Sequence, residues 1–222
     1  LVAVPVPAFP GQCLLALLES HSQNTGVSSD VWASLLSLSG ILNEWSLQRQ
    51  YLEAANDAHT VATLVELVSH VQSAASCETA CQRLADALQE FLHADRVHIG
   101  LCPSGSRDVR LTAIAGGGTI DPFSDETRLI ESVLQEAQLR SAGGVWPVRD
   151  PDNRHALLSH QQLSESWNHC TIVSIPLQTE TGTGTGSVLL TYHGSDTTEQ
   201  SLYAERYLRA GGGALGSCLE IL

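Results

Sequence analysis

One stretch, CTIVSIPLQTETGTGTGSVLLTY from Cys170 to Tyr192, restricts the fold more than any other. Residues 171–177 are apolar and β-branched, with Pro176 near the end of the run. Residues 186–192 form a second strand-like run. The Gly/Thr-rich segment 180–186 between them predicts a turn, so the stretch reads as a β-hairpin. A hairpin commits the chain to an antiparallel sheet, and the rest of the sequence must supply its other strands and its cover.

Strand patterns recur from Ala94-Asp95 onward. RVHIGLC places Val97, Ile99 and Leu101 on one face and His98 and Gly100 on the other. PSGSRD is a turn, and VRLTAIAG is the antiparallel partner, with Val109, Leu111 and Ala113 alternating against Arg110 and Thr112. Residues 126–139 carry a helical pattern that includes Leu129, Val133 and Leu134. GVWPV is a short strand. Residues 149–168 form a long connection with a helical piece around His155 to His160, and a terminal helix starts near Thr197. The Gly211-Gly212-Gly213 run in that helix costs stability and implies close approach by another helix.

The first third is helical in pattern. Residues 12–21 (QCLLALLESH) read as a short amphipathic helix behind an extended, Pro-rich arm, LVAVPVPAFP, which lacks the basic flank of a signal peptide. From Val31 a helical pattern continues to about Ala75, interrupted at Gly40, and a capped helix follows from Ser76 to Ala94. Within the long helix, Leu47, Tyr51, Ala54, Ala58, Val61, Val65 and Val68 are spaced 4, 3, 4, 3, 4, 3. That 3.5-residue repeat over three heptads predicts a helix lying along another helix, and a homodimer seam is the expected use. The chain then divides into an arm and helical extension, 1–60, and a sensor-like domain, 61–222.

The order helix, strand, turn, strand, helix, short strand, connection, hairpin, helix resembles a GAF domain, the small-molecule-sensing module related to PAS domains. The resemblance covers roughly residues 61–222. Its motifs are ADRVHIGL after a long helix, the strand TIVSIPL ending in Ile175-Pro176-Leu177, and Gly186-Ser187-Val188-Leu189 after the turn. The loop QTETGTGTG is longer and richer in Gly than the family's usual turn. The lead-in ADRVHIGL, the helix RLIESVLQEAQ and the strand GGVWPV are also similar to GAF modules that precede a membrane-fusion (periplasmic adaptor) segment in some bacterial secretion proteins. The resemblance implies an α+β fold with a central antiparallel sheet of five or six strands, helices packed on one face and a helical extension in front. It also implies a non-catalytic regulatory role in a bacterial protein, with an output or transport domain outside this chain.

In such a fold the connection covers the second sheet face and walls off a ligand cavity. The candidate ligand residues are Trp146, Arg149, Arg154, His155, Trp167, His169 and Cys170. The two arginines suit an anionic or polar ligand, which they could clamp bidentately. Cys170 beside His169 could be a low-pKa thiol, a metal ligand or a bilin attachment point. The surrounding SWNHCTIV lacks the chromophore motif, and no cofactor is expected. The alternative is a structural dimerisation module whose pocket is collapsed. A cavity of several hundred Å³ beneath residues 146–169 favours the sensor; one filled by Trp146 and Trp167 favours the alternative. An enzyme of the free-methionine-sulfoxide-reductase type also exists on this fold, but it needs several converging cysteines, and only Cys102 and Cys170 are suitably placed.

Catalytic motifs are absent from the sequence: no GxSxG, HExxH or GxxxxGK[ST] occurs, and GTGTG lacks the spacing and strand-to-helix setting of a dinucleotide loop. The formal net charge is −13, and all eleven cationic residues are arginines that form no stripe, which argues against nucleic acid. A hydrophobic content of 43% predicts a folded core, while the lack of an 18-residue apolar run argues against membrane insertion. The six cysteines, at 13, 77, 81, 102, 170 and 218, contain no CxxC and no metal-ligand pairing. They are expected to be free thiols in a cytoplasmic protein.

Overall fold

The structure, a computed structural model, describes residues 2–5, 13–16, 29–103, 106, 108–148, 157–179, 182, 184–194 and 197–221. It comprises two compact units, Leu1–Ala62 and Thr63–Leu222.

In the first unit, β1 (Val2–Pro5) pairs antiparallel with β2 (Cys13–Ala16), Val2 opposite Ala16. The helix expected over 12–21 is therefore not formed at 13–16. A run this short has no helical period of its own, and a valine-rich partner gives it a ladder instead. Helix α1 (Ser29–Gln72) is 44 residues long and passes through Gly40 without a break, in contrast to the expected interruption. One Gly costs a helix about 1 kcal/mol, too little to stop it in mid-course.

The second unit holds the rest of α1, then α2 (Cys77–Leu92), β3 (Arg96–Leu101), β4 (Arg110–Ile114), α3 (Asp125–Arg140), β5 (Gly144–Trp146), α4 (Leu158–Ser166), β6 (Thr171–Gln178), β7 (Gly184–Tyr192) and α5 (Thr198–Ile221). The five strands lie in the order β4-β3-β7-β6-β5, with every neighbour antiparallel. The hairpin read from the sequence is the pair β6–β7. Pro176 is tolerated in β6 because β5 pairs only as far as Ser174, so the missing N–H removes no bond on that side. Serine caps define two helices: Ser76 accepts from the Thr79 N–H at 3.2 Å, and Ser124 accepts from the Thr127 N–H at 3.0 Å.

Alternation along the strands divides the sheet into two faces. Val97, Ile99, Val173, Ile175, Val188 and Leu190 pack on the first face with Leu84 and Leu88 of α2, Leu67 and Val71 of α1 and Leu208 of α5. The glycines of α5 belong to this packing. A Cβ at Gly211 would strike Leu64 of α1, as the expected close helix would require, but one at Gly216 would strike the backbone of Gln178 in β6. Thus α5 approaches the sheet backbone as well as a helix. On the second face, Leu111, Ile172, Leu189 and Cys170 pack with Ile130, Val133 and Leu134 of α3 and Leu163 of α4.

The expected α+β fold with its antiparallel sheet is present, with five strands. The helices, however, are not confined to one face, because α3 lies on the second. It is tied there by the sheet edge: the N–H groups of Val109 and Leu111 donate to Gln135 Oε1 (2.7 Å) and Glu131 Oε1 (3.0 Å). Two side chains one helical turn apart thus occupy donors that would otherwise lie open on the β4 edge. No helix among the described residues is long and apolar enough to cross a membrane.

Candidate functional site

The second sheet face carries an unusual number of polar side chains for a covered surface. His98, Ser174, Ser187 and Thr191 are all buried there among apolar neighbours. Each follows from the period of 2. His98 lies between Val97 and Ile99, which face the other way, and Thr191 lies two residues from Leu189.

Two of these side chains lack a hydrogen-bond partner among the described residues, at His98 Nδ1 and Thr191 Oγ1. His98 is 2% exposed and Thr191 0%. They are close neighbours, since Thr191 lies opposite Arg96 in the β3–β7 ladder and Arg96 precedes His98 by two residues. Burial, reinforced by the nearby Arg96 charge, pushes the His98 pKa down from 6.5 to about 4, so the ring is neutral at neutral pH.

Trp167 packs against His98. It stands at the C-terminus of α4, where Asn168 and His169 both adopt positive φ (54° and 60°) and turn the chain into β6. Its ring stacks on His98 at 5.6 Å between centroids, inclined by 29°. The Arg96 guanidinium lies 4.8 Å from the same Trp167 ring. The indole is therefore held by an imidazole and a guanidinium. Arg96 also reaches Glu126 at 3.3 Å, a pair half open to solvent.

A second polar group pins the start of α4. His160 Nδ1 lies 2.7 Å from Glu136 Oε2, and His160 Nε2 lies 2.6 Å from Ser174 Oγ. The Glu136 carboxylate accepts from Nδ1–H, and Nε2 either accepts from the Ser174 hydroxyl or donates to its oxygen, according to the protonation of the ring. Burial raises the pKa of Glu136, but the hydrogen bond and charge of His160 outweigh it and leave the carboxyl below its ordinary value. The order of groups is that of a nucleophile, base and orienting acid. Ser174 is 0% exposed, however, so no substrate carbonyl reaches its oxygen, and the trio ties α3, α4 and β6 together. Gly144 makes room for it, because a Cβ there would lie 3.0 Å from His160 Nε2 and 2.9 Å from Leu157 Cδ2.

Of the residues expected to form the site, Trp146, Trp167 and Cys170 do converge, on the second-face cluster. His169 is exposed in the turn before β6. Arg149, Arg154 and His155 lie outside the described residues. Burial pushes the Cys170 thiol up to about 11, against the low-pKa thiolate considered for it. No group of His, Cys, Asp and Glu among the described residues could hold a metal. Two surface grooves of about 670 Å³ each are present, one along α3 by Arg110 and Ser159, the other between α1 and α2 by Leu67 and Phe91. Neither is lined by Trp146 or Trp167. His98, Thr191 and Arg96 were not among the expected ligand residues. The signal for them was a histidine at an inward strand position, which the alternation in RVHIGL already displays.

Comparison with protein-family models and with curated proteins finds no match. Solved structures do match. The GAF domain of a phosphoenolpyruvate-protein phosphotransferase from Acinetobacter is 13% identical over 73% of this chain and 94% of that one, with a TM-score of 0.50. The GAF domain of A. aeolicus nlh2 in an inactive state is 12% identical over 74% of this chain and 98% of that one (TM-score 0.49). Free methionine-R-sulfoxide reductase from Neisseria meningitidis, in complex with its substrate, is 19% identical over 74% and 87% (TM-score 0.45). The chain has the fold of a GAF domain.

Proposed function

We propose that this chain is a regulatory sensor module. A small molecule held on the second sheet face between β3, β7 and α4 shifts the packing of α1 against the same helix of a second copy. The observation that carries the reading is the pair of buried polar atoms without partners among the described residues, His98 Nδ1 and Thr191 Oγ1. Buried polar groups are normally paired, and exceptions concentrate where a ligand or a mechanism requires them. The dimeric half of the reading is supported by α1. Tyr51, Val61 and Val65 of the seam are 75%, 60% and 64% exposed, an arrangement that a second copy would bury. Val68, at the end of the seam, is already half-buried in the second unit.

The second reading, a structural dimerisation module with a collapsed pocket, is favoured by the packing of Trp146 and Trp167 against the second-face core. The two differ in whether anything displaces the indole. Both require the dimer, which is tested by Val61→Glu with Val65→Glu. Sedimentation velocity should give a dimer for the wild type and a monomer for the double variant. A wild type that sediments as a monomer, or a variant that sediments unchanged, contradicts the seam. A cytoplasmic location belongs to the same proposal and is consistent with the free thiols of Cys77, Cys81, Cys102, Cys170 and Cys218.

A further inference from the structure

We propose that Cys77 and Cys81 form a chelating dithiol that captures a trivalent organoarsenical, one arsenic atom bridging the two sulfurs. The site lies at the start of α2, away from the second sheet face, and stands independently of the sensor reading above.

The helix assembles the pair. Cys77 is the first residue of α2, directly after the Ser76 cap, and Cys81 stands four residues on. Residues four apart share one face of a helix. Here that face turns towards the first-face core: Cys81 is fully buried within it, and the half-buried Cys77 packs against it. The two thiols are hydrogen-bonded to one another. Cys77 gives a reagent its entry, and Cys81 lies in contact behind it.

The spacing decides how the pair can be joined. A disulfide needs its Cβ atoms about 3.5–4.5 Å apart. Residues at i and i+4 of a helix hold theirs about 5–6 Å apart. A direct S–S bond would therefore unwind the first turn of α2. It would break the Ser76 cap on the Thr79 N–H (3.2 Å) and the bond from the Ala80 N–H to the Ser76 carbonyl (2.9 Å). A bridge that inserts one atom between the sulfurs spans the wider gap and leaves the helix intact.

The bridging atom must be soft, because its donors are sulfur, and it must be content with two of them. Among the described residues no set of three or more His, Cys, Asp and Glu side chains could hold a metal, so an ion such as zinc, which takes four ligands, is not served. Charge narrows the choice. Burial, reinforced by Cys77 and Glu78, pushes the Cys81 thiol well up, so the surroundings disfavour an anion. Two thiolates on Cu(I) would leave a negative charge there. A dithiolate of Hg(II) is neutral, but it is linear and holds its sulfurs farther apart than a bent S–As–S bridge, and these thiols are already in contact. Arsenic(III) carrying one organic group is both neutral and bent when bound. Its two As–O bonds are exchanged for two As–S bonds. Each thiol proton leaves with a hydroxyl group as water, and no atom changes oxidation state.

The experiment titrates the full chain, reduced with a phosphine, with phenylarsine oxide, and reads intact mass and peptide maps. The first equivalent should link Cys77 to Cys81, resist excess glutathione and be released by the dithiol dimercaprol. Cys77→Ala and Cys81→Ala should each weaken binding about hundredfold, because the second As–S bond forms within the molecule. Cys102→Ala, Cys170→Ala and Cys218→Ala should leave it unchanged. Oxidation of the folded protein with diamide should give no Cys77–Cys81 disulfide. The inference is overturned if no adduct forms, if the first equivalent maps to other thiols, or if either alanine variant at 77 or 81 binds as tightly as the wild type. A Cys77–Cys81 disulfide in the folded protein overturns the spacing argument and the inference with it. Peptide mapping of the wild type reads the site without any variant, so a variant that does not fold leaves the test in place.

Discussion

His98 gives the site a pH signature of its own. In the unfolded chain the ring protonates near 6.5, in the folded chain near 4. Between those values the unfolded state binds more protons, so the contribution of His98 is complete above pH 6.5, declines as pH falls towards 4 and levels off below. Its size is at most roughly 3 kcal/mol. Glu136, whose carboxyl is held below its ordinary value of 4.5, contributes fully above that value and begins to lose its contribution as pH falls through it, at the acid end of the His98 window. Urea unfolding of wild type and His98→Phe should show the variant gaining on the wild type between pH 7 and 4.5. A constant gap would contradict the buried neutral ring. The position of His98 was legible, since RVHIGL alternates. Its stacking on Trp167 was not, because that contact depends on the two left-handed residues after α4. Nor was the His160 trio, whose members stand 24 and 14 residues from His160 with no period connecting them.

Among the elements, α5 separates the two roles of a helical glycine. Nothing lies within 4 Å of a Cβ built on Gly213, whereas one on Gly216 would lie 2.5 Å from the Gln178 carbonyl oxygen. Gly213→Ala should therefore stabilise the protein by about 1 kcal/mol, the intrinsic helix preference. Gly216→Ala should destabilise it by about 1–3 kcal/mol, because the sheet backbone must move. Thermal unfolding of the two variants would contradict this if both shift the midpoint in the same direction. The glycine run announced close packing, but the sequence held no sign that the close neighbour is partly a strand. The hairpin was legible from two apolar runs around a Gly/Thr turn, α3 from its helical period, and α1 from a helical pattern read with a break at Gly40 that the helix does not have. The strand at 13–16 was not, because four apolar residues fit either period. The second-face cover was read as a connection alone; the Glu131 and Gln135 bonds that fasten α3 to the β4 edge are long-range and leave no local pattern.

For the whole molecule, the account joins two features: the His98 and Thr191 side chains on the second sheet face, unpartnered among the described residues, and an exposed apolar row on α1. If ligand and dimer are linked, each must change the other's equilibrium by the same factor. The most direct test is the dimer dissociation constant of the full chain, measured by sedimentation equilibrium with and without a saturating probe metabolite that raises its melting temperature. The account predicts a shift of at least fivefold, matched by an equal change in probe affinity between dilute and concentrated protein. A dissociation constant that stays the same while the probe is demonstrably bound would contradict it.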